Sequence, residues 1–245
     1  MTKTIRKAVI KANSNKDNFL PLSNHFPVEF LKMGKKTILE TLIDEVVELD
    51  VEEVIFLAPQ NKRDLQLFFL NLPDQIDSLK KRGSPRAKRV EEIHSKVRDI
   101  KFSSVDKFSD LSNLNEEFAY LEAEKIIKSF NPLVDLMDIF KTSERPVIGL
   151  TEGAVGDLDL EKIAKNLFKI KGFTNQSKFL MTGRAIFTSR ATSFFKDSIN
   201  ISDVIEKMTK RGHTGYGVRL SGDFFHIKDQ DSYQKAVISH LPDQV

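Results

Sequence analysis

Three stretches near the start of the chain leave few folds open. Ala8-Val9-Ile10 is an unbroken apolar triplet behind a polar, basic opening. Thr37 to Leu49 carries Ile38, Leu39, Leu42, Ile43, Val46 and Val47 on one side of a helical repeat. Val54-Ile55-Phe56-Leu57 is a second unbroken apolar run. Short, wholly apolar runs suit strands buried on both faces, and apolar positions three and four apart suit a helix with one buried stripe. Thr37, with Glu40 three residues on, has the makings of a capping box. Strand, helix, strand in this order predicts a βαβ unit, hence an α/β fold with a largely parallel sheet and helices on both faces.

The later segments read less cleanly. Lys62 to Leu70 resumes helical spacing, and Asp74 to Arg98 is densely charged, with a Gly83-Ser84-Pro85 turn inside it. Its basic clusters, Lys80-Lys81-Arg82 and Pro85 to Arg89, are interleaved with acids and lack stacking aromatics. They therefore predict a solvated helical excursion rather than a nucleic-acid surface. Glu116 to Phe130 and Leu133 to Phe140 read as helices parted by Asn131-Pro132, and Pro146 to Leu150 as a strand. Leu158 to Leu167 reads as a helix, or a helix leading to a strand. Lys178 to Phe187 suits a strand, and Ser202 to Met208 a short helix with Ser202 as its cap. Tyr216 to Leu220 and Phe224 to Ile227 suit two strands around Ser221-Gly222, and Ser232 to Leu241 a closing helix. No repeat or linker divides the chain, so residues 1–245 are expected to form one domain with the charged excursion around 74–105.

Composition narrows the function classes. The chain has 245 residues, 40% hydrophobic and 30% charged, which suits a folded core with a solvated surface. A net charge of +3 over this length gives no strong pull toward nucleic acid. Cysteine is absent, so disulfides, thiolate metal sites and cysteine nucleophiles are excluded. The apolar stretch after the basic start is too short for a signal-peptide core, and no run approaches the ~18 apolar residues of a membrane span. The expectation is a soluble, cytoplasmic protein.

Read whole, the first segment is distinctive. Ile5 to Ile10, Phe19-Leu20-Pro21, Pro27, Glu29, Leu31, Val51 to Phe56 and Asn61-Lys62-Arg63 stand in an order that resembles bacterial UTP–glucose-1-phosphate uridylyltransferases. Those enzymes open with a strand, a glycine-rich loop ending G-T-R-F-L-P, then P-K-E-M-L-P, a helix, an I-E-E-I-type strand and R-N-K-R. Near the C-terminus, Gly183-Arg184 resembles the family's G-R-Y. Gly222 to Asp229, followed by Tyr233 and Lys235-Ala236, resembles its D-I-G-D-containing ending. The resemblance implies a nucleotidyltransferase-type, Rossmann-like sandwich. It also implies a reaction that joins a sugar 1-phosphate to the α-phosphate of UTP, with magnesium between carboxylates.

Four parts of that chemistry are altered. The loop from Ala12 to Asn18 holds no glycine to let the backbone approach a triphosphate, and Asn18 stands where the family has arginine. Val28 replaces the lysine of P-K-E. His226 replaces the aspartate of D-I-G-D, with Lys228 beside it, whereas magnesium wants oxygen ligands. The central G-D-D strand is expected to be missing; alternatively Leu133 to Asp138 supplies it, with Asp135 or Asp138 as ligand. The E-K-P motif that the family uses on the sugar has Phe168-Lys169-Ile170 as its counterpart, retaining the lysine only.

Some residues remain as candidate ligand contacts: Lys16, Glu29, Lys169, Gly183 and Asp229. Of these, Asp229 also suits a helix cap and Glu29 a backbone anchor. His226, with no ligand-spaced partner, reads as structural, and Gly212-His213-Thr214-Gly215-Tyr216-Gly217 reads as a turn because it follows a helix and precedes a strand. Together these readings predict a non-catalytic relative without a metal or other cofactor, binding a sugar nucleotide such as UDP-glucose. It would form a homo-oligomer or partner an active uridylyltransferase. Two alternatives stand beside it: an active, magnesium-dependent nucleotidyltransferase with altered residues, and a protein-interaction scaffold on the same fold.

Overall fold

A computed structural model of the chain describes residues 4–12, 16–20, 27–58, 64–128 and 131–240. The elements run β1 (Lys7–Lys11), β2 (Lys32–Met33), β3 (Lys36–Thr37), α1 (Ile38–Val47), β4 (Glu53–Leu57), α2 (Asp64–Leu70), α3 (Leu72–Lys81), α4 (Arg86–Val97) and β5 (Lys101–Val105). They continue with β6 (Phe118–Glu122), β7 (Lys125–Lys128), α5 (Pro132–Ser143), β8 (Val147–Lys162), β9 (Leu167–Phe187), α6 (Ile201–Lys210), β10 (Tyr216–Arg219), β11 (Asp223–His226) and α7 (Gln230–His240). Among the described residues, seven strands form one sheet in the order β10-β8-β9-β6-β1-β4-β5. The pairs β6–β1, β1–β4, β4–β5 and β10–β8 are parallel, and β9 runs antiparallel to β6 and β8.

The apolar run at the start of the chain does what its pattern predicts. Successive side chains of a strand face opposite ways. Ala8 and Ile10 therefore join the core beneath α1, α2 and α5, while Val9 joins the core beneath α6 and the short 3-10 helix Ser189–Phe195. α1 starts at the predicted capping box. Thr37 Oγ1 accepts from the Glu40 amide at 3.0 Å, and the Glu40 carboxylate accepts from the Thr37 amide at 2.6 Å. The charged segment folds as α3 and α4, with Gly83 at a positive φ of 62° in the turn between them. Arg89 bridges to Glu40 at 2.7 Å and Lys96 to Asp44 at 2.6 Å, so part of this charge is spent on α1.

Two expectations fail here. The expected helix from Glu116 to Phe130 is not found over its described residues, Glu116 to Lys128: they supply β6 and β7, and β6 lies in the middle of the sheet between β1 and β9. The central strand expected to be missing is therefore present. All five β6 residues are buried, and a strand covered on both faces shows no alternation for a sequence reading to catch. The alternative strand at Leu133 to Asp138 is instead the first half of α5. Asn131 caps it by accepting from the Leu133 amide at 2.9 Å, and Pro132 takes the first helical position.

Leu158 to Leu167 also departs from its helical reading. It is the tip of the β8–β9 hairpin, and Leu158-Asp159-Leu160-Glu161 carries the two-residue alternation of an exposed arm. The expected strand at Lys178 to Phe187 is the second half of β9. No helix among the described residues is long and apolar enough to cross a membrane.

Candidate functional site

Parallel strands bring their C-terminal ends to one edge of the sheet, where α/β folds place ligands. In the β1–β6 pairing Lys11 sits opposite Glu122, the last residues of their strands. Their side chains meet there, with Lys11 Nζ 3.6 Å from Glu122 Oε1. The chain turns after Glu122 and returns as β7, whose Lys125 places Nζ 2.6 Å from Glu122 Oε2. Tyr120, two residues back on the same face, donates its hydroxyl to Glu122 Oε1 at 3.2 Å. Burial pushes the Glu122 carboxyl up, but the ammonium groups of Lys125 and Lys11 outweigh it and hold the group below the usual glutamate range. The Tyr120 hydroxyl, wholly buried beside that carboxylate, is pushed well up.

The second half of the site comes from the chain's C-terminal part. β11 pairs antiparallel with β7, setting His226 opposite Lys125, and the Ile227 amide donates to the Glu124 carbonyl at 2.7 Å. That ladder puts His226 Nε2 3.6 Å from Glu124 Oε1, an ion pair when the imidazole is protonated. The His226 imidazole holds the Glu124 carboxyl below its usual range, against burial and with help from Lys11. Asn18 Nδ2 donates to the Lys228 carbonyl at 3.2 Å, tying the segment after the first loop to the turn after β11. Asp229 caps α7 as expected, accepting from the Ser232 amide at 2.8 Å.

Two residues hold this arrangement from beneath. Gly183 has a φ of 72°, and a Cβ there would lie 2.8 Å from Lys125 Cδ and 2.9 Å from Glu122 Cβ. Next to it, the fully buried Arg184 donates to the carbonyls of Glu122 and Lys125 at 3.2 and 2.7 Å. The same guanidinium bonds Glu45 of α1.

The predicted site residues divide. Gly183, Asn18, His226 and Asp229 fall within this cluster or border it. Val28 and Glu29 form a 3-10 helix with Phe30 and are buried, Val28 at 2% exposure. Lys16 begins the 3-10 helix that contains Asn18. Asn13 to Asn15, Pro21 and Asn61-Lys62-Arg63 lie outside the described residues. Lys169 is not brought here: it pairs with Tyr216, which pairs with Val147 where β8 begins, the opposite edge of the sheet. Asp135 and Asp138 are exposed on α5 and supply nothing to the strand ends. Sequence reasoning missed Lys11, Tyr120, Glu122, Glu124 and Lys125. The signal was Phe118-Ala119-Tyr120-Leu121 followed by Glu122-Ala123-Glu124-Lys125.

The cluster suits magnesium poorly. That ion takes oxygen ligands in octahedral array. Here Glu122 is occupied by the ammonium groups of Lys11 and Lys125, and Glu124 faces an imidazole. Among the described residues no group of three or more His, Asp or Glu gathers to hold a metal.

A central strand parallel to β1 and flanked by the returning β9, with charged groups gathered at its C-terminal end, gives an α/β sheet whose strand-end edge can receive a ligand. No family model matches the chain. It is 21% identical over 268 residues to a UTP–glucose-1-phosphate uridylyltransferase of Staphylococcus epidermidis, covering 97% of this chain and 93% of that one. It is 23% identical over 238 residues to the Bacillus subtilis protein of the same name, covering 85% and 82%. The UTP-bound UGPase of Acinetobacter baumannii superposes with a TM-score of 0.83 at 18% identity, over 97% and 93% of the two chains. A UDP-glucose pyrophosphorylase complexed with UDP-glucose superposes at 0.77, also at 18% identity, over 97% and 98%. The chain is thus similar, at low identity and along most of its length, to UTP–glucose-1-phosphate uridylyltransferases, and it shares the fold of the UDP-glucose pyrophosphorylases.

Proposed function

We propose that the chain binds a sugar nucleotide of the UDP-glucose kind and does not transfer a uridylyl group. The observation that carries this reading is the Glu122–Lys125 and Glu124–His226 pairing at the end of β6. In the related enzymes a divalent cation between carboxylates would offset the phosphate charge. Here protein ammonium groups and an imidazole already neutralise the carboxylates, so the in-line displacement loses the charge stabilisation on which phosphoryl chemistry depends. Val28, where the resemblance calls for a lysine, removes a further cation. What remains is a strand-end site on a fold whose relatives hold UTP and UDP-glucose, suited to a binding or regulatory role in sugar-nucleotide metabolism.

The test is calorimetric titration with UDP-glucose, with and without magnesium. Binding of the same strength in both conditions supports the reading. Binding that needs magnesium overturns it in favour of an active transferase, and no binding at millimolar ligand overturns it in favour of a scaffold. One observation favours the active alternative: Glu124 does put a carboxylate at the end of the central strand. That alternative requires UDP-glucose and pyrophosphate to form from UTP and glucose 1-phosphate, and to stop forming in Glu124→Gln.

A further inference from the structure

The opposite edge of the sheet holds a cavity of about 380 Å³, a size typical of small-ligand sites. It opens where β8 and β10 begin and β9 ends, the far side of the sheet from Glu122 and Glu124. Its floor is apolar: Ala191, Phe194 and Met208 are each less than one-tenth exposed. Its rim is cationic and hydroxylic. Arg145 and Arg190 line it, together with Thr188 and Thr214. His213 lies edge-on to the Phe194 ring with 5.2 Å between centroids, and Arg211 stands 5.4 Å from the same ring.

The segment Gly212-His213-Thr214, which has the look of a nucleotide loop in the sequence, lines this cavity as the connection between α6 and β10. Arg145 donates to Thr214 Oγ1, which fixes one edge of its guanidinium on the rim. Arg145 and Arg190 both line the cavity, and Glu144 is the one acid on its lining. Two arginines above an apolar floor match a ligand with a compact anion at one end and an apolar or flat body at the other. Guanidinium groups take phosphate oxygens in pairs, and hydroxyls on the rim add single hydrogen bonds.

We propose that this cavity is a second binding site, for a phosphate monoester of a small organic molecule. The phosphate sits between Arg145 and Arg190, and the organic part lies on Phe194 and Met208. The proposal is independent of what the strand-end site binds.

The probe is phenyl phosphate, titrated calorimetrically against the full chain, with inorganic phosphate as the comparison. Phenyl phosphate is expected to bind about tenfold more tightly than inorganic phosphate, since its ring leaves water for the apolar floor. Arg190→Gln is on the exposed rim and keeps the fold, which the melting temperature verifies. It is expected to weaken phenyl phosphate by about tenfold, the usual worth of a charged hydrogen bond. Phe194→Ala should erase the preference over inorganic phosphate while leaving phosphate itself unchanged. Saturating UDP-glucose and Glu124→Gln should leave the titration as it was. Equal binding of the two probes, indifference to Arg190→Gln, or competition by UDP-glucose would each overturn the proposal.

Discussion

Glu45 and Arg184 form a two-pronged ion pair, with the guanidinium Nε and Nη2 donating to the two carboxylate oxygens at 2.7 and 2.8 Å. Arg184 has no exposed surface and Glu45 is 6% exposed. The pair joins α1 to β9, and the remaining nitrogen of the guanidinium reaches the carbonyls of Glu122 and Lys125. A helix on one face of the sheet thereby sets the turn that carries the candidate site. Truncating one member strands the other's charge in a dry place. Arg184→Met is therefore expected to lower stability by about 3 to 5 kcal/mol. Urea denaturation checks this, and a loss below 1 kcal/mol would mean that water reaches Glu45.

Gly183 is the neighbouring constraint. Its φ of 72° lies in the left-handed region, and an added Cβ would meet Glu122 Cβ at 2.9 Å. Gly183→Ala is expected to cost about 1 to 2 kcal/mol from backbone conformation alone, and more from displacing the Glu122 side chain. The same substitution should weaken UDP-glucose binding, because the displaced group belongs to the site. A variant with native stability would show that β9 relaxes freely here, contrary to the contacts described.

Acid should act through the same residues. The Glu122 and Glu124 carboxyls both lie below the usual glutamate range in the folded chain. A carboxyl depressed by folding adds stability that is present above its unfolded pKa and is lost as pH falls through the folded one. The protein should therefore lose stability steeply below the ordinary glutamate range. Glu122→Gln should flatten that acid limb while lowering stability at neutral pH. Denaturation midpoints measured from pH 3 to 7 decide the matter, and an acid limb of the same slope in the variant counts against Glu122.

Much of the fold is legible because α1 and the first two sheet strands obey local rules. Thr37 and Glu40 announce a helix start, and Ile38, Leu39, Leu42 and Ile43 form a buried stripe. The site is less legible for two reasons. Phe118-Ala119-Tyr120-Leu121 has no alternation, since β9 and β1 flank it and both faces are covered, so its period is compatible with helix. And Lys11, Glu122 and His226 stand 104 or more positions apart in the chain, brought together only by the β1–β6 and β7–β11 registers. Gly183 could be singled out beforehand only through the resemblance of Gly183-Arg184 to the family's G-R-Y, and its φ of 72° supplies the physical reason for a glycine there.

His226 offers the sharpest test of why the site lacks a metal fit. Its ring lies 3.6 Å from Glu124, where the resemblance calls for a second carboxylate. His226→Asp would set two carboxylates face to face. Their repulsion would raise the Glu124 carboxyl, and a divalent cation would relieve it. Manganese, followed by its electron paramagnetic resonance signal, is expected to bind the variant at least about tenfold more tightly than the parent chain, as an added carboxylate ligand would give. Adding Glu124→Gln should cancel the gain. Equal affinity in parent and variant would mean that Lys125 and Lys11, rather than the imidazole, keep cations out. The next substitution would then be Lys125→Met.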